Sequence, residues 1–142
     1  MQRIKYLVVF LWLAVGLKAQ GIRHIDAVQG LGHPTVYAIT SDDLGFVWMG
    51  TRDGLYRYND GRAQLVPFLE KTTARRTTNV QSLCVAQDSI LWIGLQQGGI
   101  VAYNIHRLQP IADAAVPQLP ISTTVMSIFE DSYGTLWAAT AG

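Results

Sequence analysis

The residues that decide the fold occur as three related segments. They read VYAITSDDLGFVWMGTRDGLYRYN from Val36, VQSLCVAQDSILWIGLQQGGIVAYN from Val80 and VMSIFEDSYGTLWAATAG from Val125. The opening valines are 44 and 45 residues apart, and 12 residues after each of them comes a tryptophan: Trp48, Trp92 and Trp137. A period in the forties, built of short runs of strand-forming residues, is typical of a β-propeller blade.

The first copy predicts four strands separated by turns. Side chains alternate from Val36 to Ser41, as in a half-buried strand, with no helical period. Turn signals of the Asp and Gly type follow at 42–45, 52–54 and 59–61. We therefore expect strands at 36–41, 46–51, 55–58 and 64–68. Pro67 would lie in the last of these, which must then be an edge strand, and Pro110 has the same place in the second copy.

The fold predicted is all-β, made of four-stranded antiparallel propeller blades. Its predicted parts are a signal peptide (1–20), an N-terminal strand that completes the last blade of a full ring (21–35), and blade repeats at 36–79, 80–124 and, truncated, 125–142. Propellers close rings of about 4–8 blades. Because the chain holds an incomplete ring of about two and a half blades, we expect it to be the N-terminal portion of a longer protein.

Fourteen positions form the structural signature of the repeat. We expect the tryptophans to pack between blades, in preference to stacking on a sugar, because each has the same place in its copy. The signature consists of Val36, Gly45, Trp48, Gly50, Gly54, Tyr58, Val80, Trp92, Gly94, Gly98, Tyr103, Val125, Gly134 and Trp137.

The N-terminus resembles a secretory signal peptide. A basic start precedes the apolar run 6–17, and cleavage is expected after Ala19 or Gln20. The run is short for a membrane anchor, which is the alternative, since a span needs about 20 apolar residues. Removal of residues 1–20 would leave 8 basic and 10 acidic residues. That balance, with one local basic cluster at Lys71, Arg75 and Arg76, argues against nucleic-acid binding.

The sequence predicts no catalytic residues, metal ligands or cofactor. The histidines His24, His33 and His106 lack metal-ligand spacing, and the adjacent acids at 42–43 and 130–131 repeat with the turns and are read as turn caps. The single cysteine, Cys84, cannot form an intramolecular disulfide and is expected in the core. The ligand-binding residues stay unknown: Tyr37, Arg52, Arg57 and Gln81 are candidate surface groups that the sequence does not rank.

The pattern VYAI, D-x-x-GFVW-x-GT-x-DGLYRYN-x-G, between Gly30 and Gly61, resembles the two-component regulator propeller repeat. That resemblance implies the periplasmic sensor region of a hybrid two-component system of Bacteroidetes-type bacteria. It further implies a downstream membrane span and histidine kinase, a homodimer when full length, and a small-molecule or oligosaccharide ligand. The chain itself is not expected to be an enzyme.

Three functions remain open from the sequence. The first is an exported sensor that responds to an extracellular cue, with carbohydrate as the expected one. The second is a secreted propeller enzyme, such as a lyase or glycosidase, which would need acid, His or Tyr clusters that break the repeat on one face. The third is a non-catalytic interaction scaffold. The acids here lie inside the repeated turns, which counts against the enzyme.

Residues 21–142 expressed alone should be poorly soluble or oligomeric, because an open set of blades exposes strand edges and apolar blade faces. Size-exclusion chromatography with light scattering tests this expectation. A clean monomer with a cooperative thermal transition would contradict the prediction that the chain is part of a larger ring.

Overall fold

The computed structural model describes residues 21–69, 77–112, 119–120 and 122–141. The predicted signal peptide, the basic cluster at Lys71, Arg75 and Arg76, and Gly142 lie outside these described residues. In the part described, no helix is long and apolar enough to span a membrane.

The described residues form antiparallel sheets in chain order, which confirms the all-β prediction. Sheet 1 contains β1 (Val36–Ser41), β2 (Val47–Thr51), β3 (Leu55–Asn59) and β4 (Arg62–Val66). Sheet 2 contains β5 (Val80–Val85), β6 (Ile90–Leu95), β7 (Ile100–Asn104) and β8 (Gln109–Pro110). Sheet 3 pairs β9 (Thr124–Glu130) with β10 (Leu136–Ala141).

The outer strand of sheet 1 differs from the prediction. Strand β4 spans Arg62–Val66, so Pro67 follows the strand and does not lie within it. The cause is the tight turn at Asp60 and Gly61, both with positive φ, which starts the return strand at once. Pro110 does lie in the outer strand β8, at the edge of sheet 2.

Each first strand carries a β-bulge after its opening valine. In sheet 1, Val36 pairs with Thr51 and Ala38 pairs with the next residue, Gly50, so Tyr37 is the extra residue. The same irregularity occurs at Gln81 and Met126. Because a bulge breaks the period of two, the alternation expected over 36–41 fails between Val36 and Tyr37 and holds from Tyr37 to Ser41. In sheet 2, for example, Val80 and the side chains of Leu83 and Val85 share one cluster.

The sheets stack through buried apolar faces. We call the face of each sheet that contacts the following sheet its downstream face, and the opposite one its upstream face. The first cluster joins the downstream face of sheet 1, with Trp48, Leu55 and Phe68, to the upstream face of sheet 2, with Val80, Leu91, Ile93, Leu95, Val101, Tyr103 and Ile105. A second cluster joins Ile100 and Ala102 of sheet 2 to Val125 and Ile128 of sheet 3.

Two glycines set how closely the sheets approach. A Cβ added to Gly50 would lie 2.5 Å from Cγ1 of Val80, and one added to Gly94 would lie 2.8 Å from Cγ1 of Val125. Both valines are fully buried. Val36, which opens the first copy, is 39% exposed, since no sheet lies upstream of it among the described residues.

The N-terminal segment packs on the upstream face of sheet 1. Residues 21–35 form no strand; a 3₁₀ turn at Ala27–Gln29 is capped by the Asp26 carboxylate and ends at Gly30. Leu31 is buried with Met49, Tyr56 and Ala63, and Ile25 packs against the same group. The strand expected at residues 22–25 is absent here, and its pairing with the last blade of a full ring stays a prediction.

The substitution Gly50→Ala should lower the free energy of unfolding by about 1–3 kcal/mol, because the added methyl group overpacks the contact with Val80. Denaturant unfolding of the intact protein measures this loss. In the double variant with Val80→Ala the two losses should be less than additive. The control is the double variant of Gly50→Ala with Val36→Ala, which lies on the opposite face of sheet 1; its two losses in free energy of unfolding should be additive. A similar coupling in both double variants would refute this account.

Candidate functional site

Trp48 connects the first turn of sheet 1 to sheet 2. Its indole Nε1 donates a hydrogen bond of 2.8 Å to Oδ2 of Asp42. The other carboxylate oxygen accepts from the backbone N–H groups of Leu44 and Phe46, at 3.0 and 2.9 Å. The ring meets Tyr103 of sheet 2 edge to face, with centroids 5.8 Å apart. Trp48 is fully buried, so it packs between sheets.

The third copy repeats this arrangement on an open face. Oδ2 of Asp131 accepts from Trp137 Nε1 at 2.8 Å, and Oδ1 accepts from the backbone of Tyr133 and Thr135. The bonds from Trp137 and then Thr135 hold the pKa of Asp131 below its ordinary value of 3.8. The ionised carboxylate therefore stabilises this turn above that pH, and the contribution is lost as the pH falls through the lowered value. Trp137 is 61% exposed.

The second copy builds the same turn without the carboxylate. Ala86 stands where the others have Asp, and Trp92 packs in the second cluster. Ser89 has a φ of 59° at the place where Gly45 and Gly134 have 86° and 79°. The backbone therefore keeps the left-handed conformation even where the residue is not glycine.

The remaining signature residues lie at the turns and sheet interfaces. Tyr103 is buried against Trp48, whereas Tyr58, its counterpart in sheet 1, is only partly buried on the upstream face. Gly54 follows Asp53 in the β2–β3 turn, and a Cβ there would lie 2.7 Å from Leu65. The N–H of Gly98 in the matching turn donates to the carbonyl oxygen of Thr123.

Asp53 fixes the β2–β3 turn of sheet 1. Its carboxylate accepts from Oγ1 of buried Thr51 at 2.6 Å and from the Tyr56 hydroxyl at 3.1 Å. Desolvation raises the pKa of Asp53, but these two hydrogen bonds, together with the backbone bond at Asp53 and the nearby His33, outweigh it and hold the pKa below 3.8. The ionised form therefore stabilises the turn at neutral pH.

The histidines and the cysteine of the described part of the chain lie apart from one another, beside single acids or in the core. His24 Nδ1 lies 3.7 Å from Oδ2 of Asp26. His106 Nε2, in the turn after β7, lies 3.7 Å from Oδ1 of Asp43, in the turn after β1. No three His, Cys, Asp or Glu side chains among the described residues are grouped to hold a metal ion. Cys84 is partly buried, and desolvation raises the pKa of its thiol.

A polar cleft lies on the outer half of the downstream face of sheet 1. We call it the Arg57 cleft; it is lined by Phe46, Arg57, Asn59, Asp60, Arg62 and Gln64 and has a volume of about 490 Å³. The guanidinium carbon of Arg57 lies 4.6 Å from the centroid of the Phe46 ring and 5.9 Å from that of Trp48. Arg57 is one of four surface groups that the sequence left unranked; Tyr37, Arg52 and Gln81 do not line this cleft.

Strand register explains why these side chains meet. Trp48 pairs with Arg57 and Arg57 with Gln64, while Asn59 pairs with Arg62. Cross-strand partners point to the same face of a sheet. In sheet 2 the residue that pairs with Trp92 is Ala102, so the arginine is a departure from the repeat. That difference between copies is the sequence signal that could have ranked Arg57.

Comparison with known proteins finds a family match for the third copy and one curated relative. Residues 119–142 match the family described as two component regulator propeller. The curated protein Histidine kinase P4 of Formosa agariphila is 36% identical over 56 residues, which are 37% of this chain and 4% of that protein. Residues 119–142 are therefore similar to a two component regulator propeller repeat.

Two solved structures from B. thetaiotaomicron share the fold. The extracellular domain of the proposed hybrid two component system BT3049 matches with a TM-score of 0.67 and 21% identity, over 82% of this chain and 17% of that one. The extracellular domain of the proposed one component system BT4673 matches with a TM-score of 0.65 and 24% identity, over 79% of this chain and 15% of that one. This chain thus spans a small part of each protein that it matches.

The substitution Asp42→Ala should destabilise the protein by about 1–3 kcal/mol, because the buried Trp48 N–H loses its acceptor. Thermal unfolding of the intact protein is the measurement. Ala86 shows that the turn itself forms without a carboxylate, so the indole bond should account for part of the loss, and the bonds from the Leu44 and Phe46 backbone for the rest. In the matched variant with Trp48→Phe, which has no N–H, a further Asp42→Ala should cost less. An undiminished cost there would contradict the role given to the indole bond.

Proposed function

We propose that this chain is part of a ligand-sensing propeller that controls a histidine kinase on the other side of a membrane. The similarity to Histidine kinase P4, at 36% identity over 56 residues, carries the proposal. The match of residues 119–142 to the regulator propeller family supports it independently. In this proposal the protein is exported, the kinase lies downstream of a membrane span, and the whole protein is a homodimer.

The buried packing supports transmission of a signal by the stacked sheets as one body. The contacts of Trp48 with Tyr103 and of Gly50 with Val80 are fully buried, and close-packed interfaces of this kind resist gradual sliding. The stacked sheets therefore behave as one unit. A ligand can shift such a sensor only by binding one signalling state more tightly than the other. The proposed change lies between the propeller and the parts that follow it.

The proposed cue is a carbohydrate, presented on the extracytoplasmic side. The two structural relatives with the same fold are extracellular domains, which supports the location. A propeller also offers polar loop and cleft surfaces that hydroxyl groups can bind without covalent chemistry.

Kinase autophosphorylation in the intact protein, reconstituted in membranes, tests the proposal. One class of oligosaccharide in a panel should change the rate of autophosphorylation, and a variant without the phosphoacceptor histidine should give no signal with any of them. The gene must first be read beyond Gly142. A reading frame that lacks a kinase, or a kinase that no member of the panel affects, would overturn the proposed function.

A further inference from the structure

The downstream face of sheet 1 is divided into a packed half and an open half. Trp48, Leu55 and Val66 pack against sheet 2. Farther along the same strands, Arg57, Asn59 and Gln64 leave the contact and line the Arg57 cleft. In sheet 2 the corresponding pairs bring Ala102 opposite Trp92 and Asn104 opposite Ile90. At the position where sheet 2 packs the apolar Ala102, sheet 1 therefore carries the cation of Arg57, beside an open cleft.

Arg57 is held in place by aromatic rings. Its guanidinium lies over Phe46 and near Trp48, and stacking on aromatic faces orients the planar group. Trp48 is itself fixed by Asp42 and Tyr103. The donors of Arg57 are thus positioned before any ligand arrives, which lowers the entropy cost of binding.

The cleft is rich in positive charge and hydrogen-bonding groups. Two arginines, Arg57 and Arg62, face one carboxylate, Asp60. Within the described part of the chain, no ion pair joins either guanidinium to a carboxylate. The amides of Asn59 and Gln64 add donors and acceptors. Among the described residues, an anion that entered this site would therefore meet guanidinium groups that are not ion-paired, with Asp60 the one carboxylate of the lining.

An apolar pocket adjoins the cleft. It shares Arg57 and Gln64 with the cleft and is further lined by Leu65, Val66, Pro67, Tyr103 and Leu108, with a volume of about 220 Å³. Tyr103 and Leu108 belong to sheet 2, so a ligand here would contact both sheets. An aromatic ring and aliphatic surfaces beside polar groups suit a molecule with apolar faces and a polar rim.

We propose that the Arg57 cleft binds the oxyanion of an acidic saccharide, a carboxylate or a sulfate. Arg57 donates two parallel hydrogen bonds to the oxyanion, a geometry that lysine cannot provide. Arg62 adds charge, while Asn59, Asp60 and Gln64 bind hydroxyl groups. The apolar pocket receives a face of the sugar ring. This inference rests on the proposed sensor function for its biological meaning, but the binding itself is independent of it.

Calorimetric titration of the intact protein tests the binding with three probes. These are oligogalacturonate, the same oligosaccharide fully methyl-esterified, and a sulfated oligosaccharide. Oligogalacturonate or the sulfated probe should bind, and esterification should weaken binding by about tenfold or more, since it removes the charge that the guanidinium recognises. A rise in salt from about 50 to about 500 mM should weaken binding as well.

Variants locate the site. Arg57→Ala, which places in sheet 1 the residue that sheet 2 has at Ala102, should weaken binding by about tenfold or more. Arg57→Lys keeps the charge and should still lose much of the affinity. Arg52→Ala is the matched control, since it removes one charge from an exposed residue in the β2–β3 turn, outside the cleft. This substitution should change the affinity less than about twofold. Unfolding curves establish that each variant is folded.

The outcomes separate this inference from the sensor proposal. Equal binding of the esterified probe, equal effects of Arg57→Ala and Arg52→Ala, or no binding of either anionic probe would overturn it. Binding that depends on Arg57 without any change in kinase activity would support the site and contradict the sensor role. A kinase response to neutral saccharides alone would support the sensor and contradict this site.

Discussion

The distance between neighbouring sheets depends on the contact of a valine in one sheet with a glycine in the sheet before it. Gly50 and Gly94 offer Val80 and Val125 a surface without a side chain, and an added Cβ would collide with each valine. The close fit at the inner strands then allows Trp48 and Tyr103 to meet farther out. Burial of these side chains supplies the stability, whereas the glycines determine the distance at which the sheets can pack.

The position of the Arg57 cleft follows from this packing. Trp48 is fixed on one side by Asp42 and on the other by sheet 2, and Arg57 is its cross-strand partner. The ring of Trp48, which packs between the sheets, thereby also lies beside the charged side chain of Arg57. The site is therefore built on strands of the scaffold, where positions are better defined than in loops. It lies on the outer strands β3 and β4 and on the turns beside them, at Phe46 and Asp60.

The sequence predicts the sheets better than it predicts the site. Periodic anchors at Val36, Val80 and Val125 give the strand order and most strand bounds, because each copy must bury the same face. The bulge after each valine is invisible to an alternation pattern, since Tyr37, Gln81 and Met126 share no residue type. Strand β4 begins earlier than the sequence predicts, because its first residue, Arg62, is not apolar and so does not mark the start of a strand. Arg57 could not be ranked because its neighbours become apparent only from the strand register.

Each first strand carries one bulged residue whose contacts differ between copies: Gln81 donates a hydrogen bond to Asn79, whereas Tyr37 and Met126 are exposed. The extra residue lies outside the ladder pairing, and its chemistry differs in every copy: a phenol at Tyr37, an amide at Gln81, a thioether at Met126. In a ring of such sheets, the bulge would give the inner rim one side chain per copy whose residue type can vary. Such a rim could diverge in sequence while the stacked sheets beneath it stayed the same.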